Sequence, residues 1–428
     1  MEYLLEEAHA RDAGDELRDF RDAFWIPERP GGGAQAYFCG HSLGLQPRRA
    51  EAAVLGELRA WRERAVGGHF RSHSPDHPAW IEFGDGLARD LAALVGAHAD
   101  EVTVMNTLTV NLHLLMVSFY RPAGARRKIL IERGAFPSDR YAVASQICWH
   151  GLDPRDCLVE FASEPDSRLI EESRLESWLR THGDEVALVL WPGVQYASGQ
   201  AFDLPRIAAA GRAAGAAVGF DLAHSAGNLP LRLHDSDCDF AAWCTYKYLN
   251  GGPGAVAACF VHQRHAGTTA PPRFEGWWGN ERASRFRMEA DFRPAAGAEA
   301  WQLSNPPILA LAPLRASLDL FRAAGMERLR AKSRALTGWL ADALQRELGE
   351  WLELLSPADP KRRGCQLSLR VRAGQEAGRA LHAWLERRGI VTDWREPDII
   401  RVAPVPLYNS YADCAEFLLQ ARAWAEGR

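Results

Sequence analysis

The chain has no run of about twenty apolar residues and no basic amino-terminal segment leading into an apolar core. It is therefore expected neither to span a membrane nor to carry a signal peptide. It also lacks a C-x-x-C pair. Its eight cysteines (39, 148, 157, 238, 244, 259, 365 and 414) are scattered, and several fall in predicted strands, where a free thiol behaves as a small buried hydrophobe. Disulfides and a zinc site are not expected, and a cytoplasmic location is. There is no excess of positive charge: 50 Lys and Arg against 55 Asp and Glu leave a net charge of −5. That removes any general electrostatic reason to expect nucleic acid or an anionic membrane as partner. No G-x-G-x-x-G opens a helix after a strand, which speaks against a nicotinamide dehydrogenase. What remains is an ordinary globular composition, 47% hydrophobic and 25% charged over 428 residues. This is enough chain for two or three domains around a large core, with a small-molecule substrate as the default.

The apolar pattern alternates between strand and helix. Strands are predicted at 101–105, 128–132, 157–161, 186–191 and 218–221, with helices at 80–95, 110–119, 138–149, 173–182 and 204–214. That rhythm predicts a mostly parallel sheet covered by helices. Residues 15–24 read as a short amphipathic helix on an arm, 47–66 as a helix, and 264–306 as irregular. Two amphipathic helices (307–321 and 326–348) lead into a smaller α/β unit with strands at 365–371, 390–394 and 399–403 and helices at 375–388 and 411–425.

Asp221 and Lys247 each follow a stretch suited to a strand buried on both faces, 216–220 and 240–245. Open α/β sheets bind ligands beyond the carboxyl ends of their strands, so an Asp and a Lys delivered there can face one small molecule. Pyridoxal phosphate fits the pair, because its aldehyde condenses with a lysine and its ring nitrogen is protonated opposite a carboxylate. An ordinary salt bridge among core aromatics is the alternative. The strand, turn and helix N-terminus around Asn106-Thr107-Leu108-Thr109 form an anion site or a simple Thr109 cap. Arg401, set between Ile and Val, is poorly explained as surface; it suits a buried ion pair or a clamp on a substrate carboxylate. His69, His73 and His77 recur every four residues, but Gly67, Gly68, Pro75 and Pro78 argue against a helix that would align them for a metal, and none is assigned.

DLAHSAGN, WCTYKYLNGGPG, MNTLTVNLHLLM, AFPSD, SNPPILAL and IRVAPVPLYNS together closely resemble kynureninase, a hydrolase family of the aspartate-aminotransferase superfamily (fold type I). The resemblance runs from about Tyr37 to the C-terminus. It implies an α/β fold whose large domain has a mostly parallel sheet of the seven-stranded type, followed by a smaller α/β C-terminal domain. The implied division is an arm and part of the small domain over 1–50, a large cofactor domain over 51–310, and the small domain over 311–428. It implies pyridoxal 5'-phosphate as cofactor, a homodimer with active sites near the interface, and hydrolysis of the Cβ–Cγ bond of L-kynurenine or its 3-hydroxy form. By the same resemblance Lys247, Tyr246 and Asp221 are catalytic. Leu108, Thr109, Phe136, Asp139, His224, Trp277 and Asn305 join them around the cofactor, with Trp277 giving its indole N–H to the phosphate across the dimer. His69, Ser304, Asn305 and Arg401 bind the substrate. Apart from the resemblance, the place of His224 three residues after Asp221 suggests a hydrogen bond that holds that carboxylate ionised. Two departures stand out. His41 occupies a position where the family commonly carries Asn and is given no role. Pro192 replaces a serine that reaches the cofactor in some members, and proline offers neither hydroxyl nor N–H.

Overall fold

The computed structural model describes residues 2–72, 74, 77–164, 168–267 and 271–427. Its main sheet has seven strands in the order Val102–Val104, Ala258–Val261, Phe240–Trp243, Ala217–Asp221, Val186–Pro192, Lys128–Glu132 and Leu158–Phe161. Ala258–Val261 runs antiparallel to both of its neighbours, and the remaining pairs are parallel. The expected mostly parallel sheet is therefore present, with one reversed strand. Its reversal follows from the chain turning back through Lys247 and NGGPG instead of crossing over by a helix.

Alternate residues of the central strands enter two different apolar clusters. Leu130, Val189, Trp191, Val218, Phe220 and Trp243 face one way, and Ile129, Ile131, Leu188, Leu190, Phe240 and Ala242 the other. A sheet covered on both faces needs near-continuous hydrophobic strands, which is what the sequence shows. A third cluster joins Leu4, Ala8 and Phe38 to helix Met326–Leu348, strand Leu367–Val371 and helix Tyr411–Glu426. A second sheet is ordered Leu352–Leu354, Leu367–Val371, Ile399–Val402 and Asp393–Arg395.

Three local expectations differ. The helix expected over 15–24 is a short 3-10 turn, Arg18–Ala23, because Phe24–Trp25 instead pairs with Gln46–Pro47. The stretch expected as one strand over 390–394 is divided: Ile390–Val391 pairs with Ala36–Tyr37, and Asp393–Arg395 joins the second sheet. Helix Glu2–Ala13, unforeseen, packs Leu4 and Ala8 into the third cluster.

Candidate active site

One cavity gathers the carboxyl ends of the central strands. It is lined from several stretches of the chain: 107–109, Glu132 with Phe136, Ser138 and Asp139, then Pro192, Val194 and Tyr196, and finally Asp221, His224, Tyr246 and Lys247. Asp221 ends its strand, is buried, and accepts the Ala223 N–H at 2.7 Å. Lys247 lies in the turn after the neighbouring strand, and its Nζ is 3.1 Å from His224 Nε2. The loop Gly40–Gly44 packs beneath that turn, with the Gly44 N–H donating to the Tyr246 carbonyl at 2.8 Å. A Cβ on Gly44 would fall on the Lys247 carbonyl oxygen, so only glycine allows this approach.

His224 does not hold Asp221 as expected. Its Nε2 faces Lys247, and its Nδ1 has no partner among the described residues. Burial, then the Lys247 and Arg401 charges, hold its pKa well below the usual imidazole value. It is therefore a neutral imidazole beside the lysine amine. Three carboxyl groups share the floor of the cavity. Burial, then the Asp221 charge, push Asp139 well above the ordinary carboxyl range, and burial does the same to Glu132. Such a floor suits a cationic ring nitrogen.

Two helix N-termini meet at the opposite wall. Leu108–Phe119 and Pro137–Trp149 both begin without a side-chain cap, and Thr109 Oγ1 lies 2.9 Å from Ser138 Oγ. The N-cap position of the first is Thr107, so Thr109 is not the cap. Open first-turn N–H groups, two helix dipoles and two hydroxyls make an anion site suited to a phosphate. Phe136 is 42% exposed, with Lys247 Nζ 5.8 Å from its ring centre and Tyr196 edge-on at 5.3 Å. An exposed aromatic face opposite an amine, between a carboxylate floor and an anion site, fits an aromatic aldehyde phosphate. Burial raises the Tyr246 phenol above its ordinary pKa, so it stays a proton donor at neutral pH. Pro192 lines the same cavity and is paired in register with Asp221.

Arg401 is 1% exposed. Its Nε donates to Asp393 Oδ1 at 3.0 Å, one terminal nitrogen to the Tyr196 carbonyl at 2.9 Å, and the other to Ser42 Oγ at 3.2 Å. The internal ion pair weighed from the sequence is thus present. Arg401 itself does not line the lysine cavity; it reaches that cavity's wall through its bond to the carbonyl of Tyr196, which does.

The remaining residues are not brought to this cavity within one chain. Trp277 is 44% exposed and gives its indole N–H to the Arg285 carbonyl at 2.8 Å, so that donor is already used. His69 and Asn305 meet in a separate groove walled by Trp61, Trp80, Pro306 and Leu309, with the His69 ring edge-on to Trp80 at 5.2 Å. Ser304 is exposed beside it but does not line the groove. Asn305 is not a helix cap, since that position belongs to Pro307. His73 lies outside the described residues, and His77 Nδ1 is 2.6 Å from Glu57 Oε1. Sequence reasoning missed Glu132, Ser138 and Tyr196; Ser138 stood inside AFPSD, where its place in a helix first turn could have pointed to it.

Comparison with known proteins agrees with this geometry. Residues 329–420 match the model of the kynureninase C-terminal domain. Over 427 residues the chain is 57% identical to the kynureninase of Stenotrophomonas maltophilia, covering 99% of this chain and all of that one. It is 55% identical over 418 residues to the kynureninase of Xanthomonas campestris pv. campestris, covering 98% and 97%. Among solved structures, the cysteine desulfurase CsdA of Escherichia coli superposes with a TM-score of 0.75 at 16% identity, covering 96% of this chain and 98% of that one. The C-DES Lys-to-Ala mutant with glycine linked to its pyridoxal phosphate does so at 0.75 and 19%, covering 94% and 98%. At that identity the two structures speak for the fold alone, which is that of the fold-type-I enzymes. The relatives that match end to end speak for more, and by them the chain belongs to the kynureninase family.

Proposed function

We propose that the chain is a hydrolase that cleaves the Cβ–Cγ bond of L-kynurenine, giving L-alanine and anthranilate. The observation that carries this is identity above half with named kynureninases along the whole chain, together with Lys247, Asp221 and Phe136 in one cavity. The cofactor is pyridoxal phosphate, which supplies an electron sink when bound. Lys247 would hold it covalently, Asp221 would pair with its ring nitrogen, Phe136 would stack on the ring, and Leu108, Thr109 and Ser138 would receive the phosphate. Lys247, once released, is placed to take the substrate α-proton, with neutral His224 as its hydrogen-bond partner. Tyr246, protonated at neutral pH, is the acid available to the departing carbon. Arg401 would hold the α-carboxylate. The test is incubation with L-kynurenine and identification of products; failure to form anthranilate would overturn the reading.

A desulfurase-like reaction, weighed because the fold is shared, needs a nucleophilic thiolate. Seven of the cysteines are buried. Burial pushes the thiols of Cys39, Cys238, Cys259 and Cys365 up to about 12, the opposite of activation. All eight are free, which suits the reducing cytoplasm we propose as the location.

The homodimer belongs to the same proposal. Trp277 and the His69–Asn305 groove lie apart from the lysine cavity, and helix Arg49–Arg64 and its continuation expose Leu55, Leu58, Trp61, Val66 and Phe70. A second copy covering this face would bring those groups to a lysine site. Sedimentation should give twice the 47.4 kDa chain mass; a fully active monomer would refute it.

The ring end of the substrate is assigned to His69 and Asn305, with Ser304 beside them. Polar groups in a closed pocket penalise a ligand lacking the matching hydroxyl, because their hydrogen bonds go unmade. We therefore predict that 3-hydroxykynurenine is used better than kynurenine by roughly tenfold, about the worth of one neutral hydrogen bond. The check is kcat/KM for both substrates in wild type, His69→Phe and Asn305→Ala. Equal use by wild type, or a preference that survives both substitutions, would remove the assignment.

A further inference from the structure

A group of nitrogen and oxygen ligands stands at the end of the main sheet away from the lysine cavity. Glu101 closes the 3-10 turn Ala99–Glu101 and leads into the edge strand Val102–Val104, whose other end runs on to Thr107 in the cavity wall. The Glu101 side chain is fully buried, and a carboxylate is costly to bury unless its charge is met. Two backbone groups meet part of it. The His98 N–H donates to Oε2 at 2.8 Å and the Gln263 N–H to Oε1 at 2.9 Å. The rest is turned to an imidazole: His234 Nδ1 lies 3.0 Å from Oε1 and 3.2 Å from Oε2.

His98 brings a second imidazole to the same place. Its ring stacks on that of His234, with centres 3.8 Å apart and planes 19° from parallel. The backbone holds the two segments together, since the His234 N–H donates to the Gly96 carbonyl at 3.0 Å and a Cβ on Gly96 would fall on the Leu231 carbonyl oxygen. Two imidazolium cations would repel at the separation of the rings. At least one ring is therefore neutral and offers a lone pair. His98 is exposed and the His234 side chain is 26% exposed, so the group can be reached from solvent.

One ligand atom from each of His98, Glu101 and His234 lies within 4.8 Å of the other two. Ligands about 2.0–2.2 Å from a tetrahedral ion stand roughly 3.3 Å from one another. His234 Nδ1 and the carboxylate oxygens, at 3.0 and 3.2 Å, are close to that spacing. Two imidazoles and a carboxylate suit a borderline cation such as Zn²⁺, whereas Mg²⁺ and Ca²⁺ take oxygen ligands.

We propose that His98, Glu101 and His234 bind a divalent transition-metal ion of the Zn²⁺ class, with solvent in the fourth position. For the ion to take Nδ1, His234 carries its proton on Nε2. His98, exposed, turns out of the stack to present a nitrogen, because two parallel rings cannot both point at one ion. The ion ties the edge strand to helix Leu233–Ser236, joining residues 133 positions apart that make no local motif in the sequence. Its effect falls on stability, since the lysine cavity lies at the other end of the strand.

The test is calorimetric titration of the full-length holoenzyme with ZnCl2, beside thermal denaturation with and without the ion. Wild type should take one Zn²⁺ per chain and melt at a higher temperature in its presence. His98→Ala, a change at an exposed side chain, and His234→Ala should each weaken that binding at least about tenfold, the least that even outer partners of a metal contribute, and remove most of the rise in melting temperature. His182→Ala, at an exposed histidine ending helix Glu172–His182, should leave both unchanged. Failure to bind one ion per chain, binding that survives either His98→Ala or His234→Ala, or an equal loss in His182→Ala would overturn the proposal and leave the cluster as a hydrogen-bonded staple.

Discussion

Lys247→Ala is expected to lower turnover of L-kynurenine by at least about a thousandfold, since both covalent attachment and the base for the α-proton are lost together. The effect should be confined to chemistry. Lys247 Nζ meets only His224 Nε2 among the hydrogen bonds of the described residues. Its removal leaves the Gly44 to Tyr246 link and the Asp221 turn in place, so folding should be near wild type. The cofactor should still be retained through the anion site at Thr109 and Ser138 and the Asp221 carboxylate, but without a covalent link. Borohydride reduction followed by mass mapping is the check. Wild type should carry the reduced adduct on the peptide containing Lys247 and the variant should carry none. An adduct on another lysine, or substantial turnover in the variant, would sink the assignment.

Arg401→Ala is expected to reduce kcat/KM by about 2–5 kcal/mol, tens to thousands of fold, the usual cost of truncating one member of a buried charged pair. Part of that loss is structural. Asp393 keeps Arg395 as partner, but Ser42 and the Tyr196 carbonyl each lose a donor. The melting temperature should therefore fall as well. Arg401→Lys keeps the charge without the planar fork and should act mainly on KM. Steady-state kinetics beside thermal denaturation separate the two contributions. A lowered melting temperature with unchanged kcat/KM would leave Arg401 as a strut between the small sheet and the Gly40–Gly44 loop.

Why some of this was readable from the sequence and some was not follows from distance along the chain. Asp221, Lys247, Phe136 and Thr109 were legible because each sits just past a strand whose apolar run is written locally, and strand ends in such a sheet converge. Partner choice was not. His224 stands three residues after Asp221, which suggested that carboxylate, yet the backbone turn aims its Nε2 at Lys247. Trp277 reads as a donor in any sequence, but only the fold shows that Arg285, eight residues on, takes its N–H. Arg401 looked buried from its Ile and Val neighbours, and is; that Ser42, more than 350 residues earlier, supplies one of its acceptors is a property of the tertiary fold. Helix Glu2–Ala13 escaped notice because, among its described side chains, just Leu4, Leu5 and Ala8 pack on the third cluster, too few for a periodic signal.

The claim that this family member hydrolyses a carbon–carbon bond is tested most directly by running L-kynurenine turnover in oxygen-18 water and analysing both products by mass spectrometry. Anthranilate and L-alanine are expected in equal amounts, with solvent oxygen in the anthranilate carboxylate. Formation of a 2-oxo acid in place of alanine, or anthranilate that carries no solvent oxygen, would contradict it.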